Sequence, residues 1–180
     1  LEAIAVLGQE GGIGHKELVF STVGDPRVFA RLAQAPVRPA LALSLHSGFD
    51  ERRRQLLPRA PAVPVAQLVY AACHYAQATG YPLQVQWTLL EGINDGDDEL
   101  QAIIALLAGR HAMMNFIPWN KVEGLPWQRP SWERAAQMAR ELSRHGILTK
   151  LRRSAGQDVD GGCGQLRARA TVPRITRRLP

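Results

Sequence analysis

The 180-residue sequence predicts an α/β fold of parallel strands with outer helices, and three observations carry that prediction. Five short runs rich in apolar and β-branched residues have strand length, the segments between them repeat apolar residues at helical spacing, and the last three of those segments stop at glycines. Strands alternating with helices of this length call for right-handed crossovers, which makes the sheet parallel and leads to the expectation that both of its faces are buried.

Each element has its own local reason. Leu1–Gly8 reads as a helix that starts without a cap, as if the chain were cut into there. Glu17–Ser21 reads as the first strand. Asp25-Pro26 opens a helix, with the carboxylate as N-cap and proline in the first turn, and Val28, Phe29 and Leu32 form its apolar face. Ala40–Leu45 is the second strand, and the proline-rich stretch 57–64 reads as a turn, not a domain linker. Val65–Thr79 aligns Leu68, Val69, Ala72 and Tyr75 before stopping at Gly80, a residue able to take the left-handed conformation that ends helices. The third strand is Leu83–Leu90. Asp97–Ala108, with Leu100, Ile103, Ile104 and Leu107, stops at Gly109 and leads to a fourth strand, Ala112–Ile117. Ser131–His145, with Trp132, Ala135, Met138 and Leu142 on its apolar side, stops at Gly146 and leads to a fifth, Ile147–Arg152. Residues 1–166 form one domain in this reading, and 167–180 a basic tail.

With 46% hydrophobic and 21% charged residues, the chain has enough apolar material for a core and is not a disordered segment. The net charge of +6 points to an anionic partner, of which nucleic acid is the commonest. The two cysteines, Cys73 and Cys163, offer no disulfide framework, and no signal-peptide pattern or membrane-length apolar run is present, so a cytoplasmic protein without membrane contact is expected. No CxxC or HExxH occurs, and the five histidines have no ligand spacing.

Ligands of parallel α/β folds bind at the carboxyl ends of the strands, where loops and helix N-termini gather. Five polar islands sit there: Ser21-Thr22-Val23-Gly24, Ser44-Leu45-His46-Ser47, Glu91-Gly92-Ile93-Asn94-Asp95, Asn115 to Asn120, and Gln157 to Gln165. Each has a plainer alternative. Ser21 and Ser44 also suit helix caps, His46 a loop histidine bonded to backbone, and Asn120 a turn. Cys73 lies within a helix and reads as a core residue. Cys163 differs, because Gly161, Gly162 and Gly164 give it close backbone approach. Asp158 and Asp160 do not lower a thiol pKa from about 8.5, so activation falls to Arg152, Arg153 or the substrate site, and an inert surface cysteine is the competing reading.

The Ser44-Leu45-His46 run, the Asn115-Phe116-Ile117-Pro118-Trp119-Asn120 run and Asp158-Val159-Asp160-Gly161-Gly162-Cys163-Gly164-Gln165-Leu166, in this order, resemble the RlmN/Cfr family of radical S-adenosylmethionine methyltransferases, as do Glu91 to Asp95 and Arg129-Pro130-Ser131. The resemblance runs from about Ile13 to Leu166 and implies the C-terminal part of a partial (β/α) barrel of the radical S-adenosylmethionine type. It implies methylation of a ring carbon of adenosine in 23S ribosomal RNA or transfer RNA. Ser21, Ser44, Leu45, His46 and Asn120 would bind S-adenosylmethionine. Cys163 would be the catalytic cysteine that is methylated and then carries the methyl group to adenine. A 4Fe–4S cluster and an electron donor are implied as well.

Departures accompany the likeness. The CxxxCxxC that holds the family's cluster is absent, as are its Gly-Glu motif, its second, resolving cysteine and its proposed glutamate base, and Gly11 to Glu17 differs from the ribosomal enzymes' pattern. The resemblance thus implies a portion of a longer enzyme that by itself holds no cluster and does not turn over. Two other classes stay open: a cluster-free RNA-binding relative, and an α/β-barrel lyase for a small molecule, which lacks a convincing catalytic lysine because Lys16, Lys121 and Lys150 do not stand at strand interiors with a partner. Arg167, Arg169, Arg174, Arg177 and Arg178 form a tail without acidic residues, either an RNA contact or a solvated terminus.

Overall fold

Strands β1 (Val19–Thr22), β2 (Ala40–Ser44), β3 (Leu83–Leu89), β4 (Ala112–Pro118) and β5 (Leu148–Leu151) form one parallel sheet in chain order, β1 to β5. The computed structural model describes residues 2–122 and 124–152. The boundary expected at 166 and the tail beyond it lie outside the described residues.

The helices are α1 (Glu2–Ala5), α2 (Pro26–Ala33), α3 (Asp50–Leu56), α4 (Val65–Thr79), α5 (Asp97–Leu107) and α6 (Trp132–Arg144). Their ends follow the sequence signals. Asp25 accepts a hydrogen bond from the Arg27 N–H at 3.0 Å with Pro26 in the first turn, and Ser131 Oγ accepts from the Arg134 N–H at 3.1 Å. Gly80 takes the left-handed conformation at φ 76° and ends α4. At the start of the chain, α1 runs into a π-helical turn at Val6–Glu10, so the expected helix there is shorter and less regular. The sequence reading missed α3 altogether, because its run of charged residues offers little apolar periodicity.

Burial of both sheet faces, expected from the parallel strands, holds in the middle of the sheet, where Ala42, Met113 and Asn115 of the second face are buried, but among the described residues the helices pack on one face. Because the strands lie in chain order, each crossover advances in the same sense and lays its helices on the same side. Leu41, Leu43 and Leu45 from β2 and its loop, the odd-numbered residues Leu83 to Leu89 of β3, and Met114 and Phe116 of β4 share one core with residues of α2, α4, α5 and α6. The other face carries a different set. Ser21, Ala42, Gln84, Met113 and Leu148 stand in one row across the sheet, and Ser44, Gln86, Asn115 and Lys150 in the next. In β3 the split is regular, with Leu83, Val85, Trp87 and Leu89 buried and Gln84, Gln86 and Thr88 half-buried.

Trp132, expected on the apolar side of α6, is instead exposed at its first turn. The outermost strands are the least covered, with Val19 at 50% and Leu148 at 62% exposure. No helix among the described residues is long and apolar enough to cross a membrane.

Candidate functional site

Pairing between β2 and β3 ends at Ser44 and Gln86, after which the Leu45 N–H still reaches the Gln86 carbonyl at 3.0 Å. The next backbone donor on β3, the Thr88 N–H, is taken by a side chain: His46 Nδ1 accepts it at 2.9 Å. The imidazole thus replaces one rung of the ladder. To place it there, His46 adopts φ 62°, the left-handed region seldom used by residues other than glycine. A backbone N–H can only donate, so Nδ1 must be unprotonated and the ring hydrogen sits on Nε2. Burial, and then the Arg53 charge, lower the pKa of His46 to about 4. At neutral pH His46 is a neutral ring offering one donor, Nε2–H, not a general base.

Asn94, fully buried in the loop after β3, holds this arrangement. Its Nδ2 donates to the His46 carbonyl at 2.8 Å and to the Thr88 carbonyl at 2.9 Å, while Oδ1 accepts from the Leu90 N–H at 2.8 Å. Below it, the Glu99 carboxylate, also fully buried, accepts from Ser47 Oγ, from the Gly48 N–H at 2.7 Å and from Arg52 Nη1 at 2.6 Å. A buried carboxylate needs such partners, because an unpaired charge there costs several kcal/mol, on the order of 3–5. The loop after β2 is therefore clamped from both sides.

The loop after β4 is fastened in a similar way. The Glu91 N–H donates to the Gln128 carbonyl at 3.0 Å, joining this loop to the one after β3. Arg129 donates Nε–H to the Trp119 carbonyl at 2.8 Å and Nη2–H to Asn120 Oδ1 at 2.5 Å. Trp119 and Trp127 meet edge to face with ring centroids 5.2 Å apart. Arg53, buried at the first turn beyond β2, donates to the Val23 carbonyl of the loop after β1. The loops after β1, β2, β3 and β4 are in this way interlocked at the carboxyl edge of the sheet.

The residues singled out from the sequence fall as follows. Ser21 and Ser44 belong to adjacent rows of the inner sheet face. Leu45 is 1% exposed with its side chain in the core, so only its backbone can meet a ligand. His46 and Asn120 are half-buried in the loops just described. Cys163 lies outside the described residues, as does Arg153, while Cys73 is buried in α4 as expected, its thiol pKa raised by burial. Lys150 lies inside β5, in the row of Asn115, Gln86 and Ser44. Gln84, Gln86 and Glu99 were not picked out, and Ser47 and Arg129 stood inside quoted runs without a role of their own. The signal for the first two was present, since glutamines alternate with apolar residues through β3.

The donor set does not fit an iron–sulfur cluster, which is held by about four cysteine thiolates where the chain has two cysteines. Among the described residues no group of histidine, cysteine and carboxylate side chains converges to hold a metal.

No family model matches the chain. A protein named "Probable RNA methyltransferase" from Methylibium petroleiphilum is 68% identical over 170 residues, 94% of this chain and 48% of that protein. One of the same name from Pseudomonas aeruginosa is 60% identical over 180 residues, 52% of its length. The chain is a homologue of proteins named probable RNA methyltransferases. It spans about half the length of these relatives. A radical SAM methyltransferase from Sphaerobacter thermophilus, known from its crystal structure, superposes with a TM-score of 0.83 at 34% identity, covering 91% of this chain and 48% of that one. A domain of pyruvate-formate lyase-activating enzyme from Bacteroides vulgatus, at 17% identity and a TM-score of 0.65, shares the fold.

Proposed function

We propose that the chain forms the cofactor-holding half-barrel of a radical S-adenosylmethionine methyltransferase of the RlmN/Cfr kind, which methylates a ring carbon of adenosine in ribosomal or transfer RNA. The observation that carries the reading is the interlocked carboxyl edge, where among the described residues His46 Nε2–H and the Asn120 amide hydrogens are left as donors beside the row of Ser44, Gln86, Asn115 and Lys150. The names of the relatives and of the 34% identical structural neighbour support it.

In this reading Ser21, Ser44, the Leu45 backbone, His46 and Asn120 bind S-adenosylmethionine, which when bound supplies the methyl group. His46 orients an acceptor atom and does not move a proton, since it is already neutral at pH 7. Cys163 is the thiol that accepts the methyl group and passes it to the adenine ring. The 4Fe–4S cluster and the contact with an electron donor fall to residues outside this chain, and the protein works in the cytoplasm. Residues 1–166 belong to the barrel domain, and the arginines of 167–180 bind RNA phosphates.

Two variants test the roles, each in the protein as encoded by its gene. Cys163→Ala is expected to abolish methyl transfer to RNA while leaving the unfolding midpoint unchanged. Asn120→Ala is expected to weaken S-adenosylmethionine binding about tenfold, the value of one well-placed hydrogen bond. Turnover retained without Cys163 would remove its catalytic role, and unaltered affinity without the Asn120 amide would remove that contact.

A further inference from the structure

We propose that Arg129 is a positioning residue, which fixes the Asn120 amide so that its N–H donors, and not its carbonyl, are what the residue offers to the cofactor. The inference rests on the reading of Asn120 as a cofactor contact and adds how that contact is oriented.

Both ends of the Asn120 amide differ only in oxygen and nitrogen, and an unrestrained amide can present either. Arg129 removes that choice. A guanidinium has donors only, so the amide atom 2.5 Å from its Nη2 must be Oδ1. The same guanidinium donates Nε–H to the Trp119 carbonyl at 2.8 Å, the residue immediately before Asn120, so one planar group holds both the backbone and the side chain of the turn. Arg129 is itself anchored: it is half-buried, it precedes the buried Pro130, and its neighbour Gln128 is tied through its carbonyl to the Glu91 N–H. Trp127 braces Trp119 from the side. A cation bonded to Oδ1 also polarises the amide and strengthens the N–H donors at its other end. Asn120 is thereby matched to an acceptor atom on the ligand.

The test is a double-mutant cycle on S-adenosylmethionine affinity, measured by titration calorimetry on the protein as encoded by its gene, with Arg129→Met, Asn120→Ala and the combined variant. Melting temperatures check that each variant is folded. Each single variant is expected to bind about tenfold more weakly, and the double variant no more weakly than either single one, because the two residues act as one unit. Arg129→Lys, which keeps a donor, is expected to recover part of the affinity. If Arg129→Met binds normally while Asn120→Ala does not, or if the two losses multiply in the double variant, the positioning role is overturned and the Asn120 contact survives. If Asn120→Ala binds normally, the contact on which the proposal rests is gone, and the proposal with it.

Discussion

His46 sits at φ 62° because three neighbours make that conformation worth its strain: the Thr88 N–H on its ring, and the Asn94 amide on its carbonyl, which is held in turn by the Leu90 N–H. Its titration has a definite sign. The folded pKa of about 4 lies below the ordinary 6.5, so between those values the unfolded chain binds a proton that the folded chain refuses. The contribution is full above about pH 6.5 and is lost as pH falls toward 4, by up to about 3 kcal/mol. His46→Asn, which tolerates the left-handed backbone, is expected to flatten that part of the stability profile in urea titrations across the window. Asn94→Ala leaves two carbonyls and one N–H without their partner and is expected to cost about 3 kcal/mol of unfolding free energy, read from the denaturant midpoint. A loss under 1 kcal/mol, roughly one net hydrogen bond, would mean that the loop does not depend on this residue.

Among the elements, the connection from β1 to α2 leaves no room for a side chain. Gly24 has φ 98°, and a Cβ placed on it would lie 2.6 Å from one δ-carbon of Leu68 in α4 and 3.0 Å from a δ-carbon of Leu43 in β2. Gly92, in the loop after β3, has φ 67° with no atom within 4 Å of the same position. The pair separates two costs. Gly92→Ala carries the backbone term alone, about 1 kcal/mol, whereas Gly24→Ala adds overpacking against the core and is expected to cost about 3 kcal/mol. Equal melting temperatures for the two variants would show that α4 can give way. The helix C-termini were readable because glycine acts locally: Gly80, Gly109 and Gly146 all take positive φ at or just past the end of their helices. The helix α3 was not readable, since the buried contact it makes through Arg53 reaches back to Val23 in a different loop.

At the scale of the molecule, the described helices that share the core lie on one side of the sheet, and the other side carries a polar row, Ser44, Gln86, Asn115 and Lys150, beside a mixed row, Ser21, Ala42, Gln84, Met113 and Leu148. The net charge of +6 adds a long-range pull on a polyanion. If the proposed arginines of the tail meet RNA phosphates, replacing Arg167, Arg169 and Arg174 by glutamine reduces the dependence of log affinity on log salt by about 0.7 for each phosphate that is no longer neutralised. Filter-binding titrations over a range of salt concentrations read that slope directly, and an unchanged slope would place the tail away from RNA. The inner face was partly legible: the alternation of Gln84, Gln86 and Thr88 with Leu83, Val85, Trp87 and Leu89 already marks a strand with one apolar side. It was passed over because parallel strands are usually covered on both faces.

What the sequence by itself determined is what local interactions decide: the order of the strands and of the helices other than α3, the capped start at Asp25 and Ser131, the glycine stops, and the polar islands after the first four strands. Those signals act within a few residues and do not depend on where the rest of the chain lies. Only the tertiary structure decided which residues became partners. Glu99 meets Ser47 across 52 positions, His46 meets Thr88 across 42, and Arg129 closes onto Asn120 across 9. A carboxylate in a helix, a histidine in a loop and an arginine before a proline carry no mark of these pairings. They arise when crossovers in the same sense bring successive loops to one edge of the sheet, where buried polar groups must find donors and acceptors in one another.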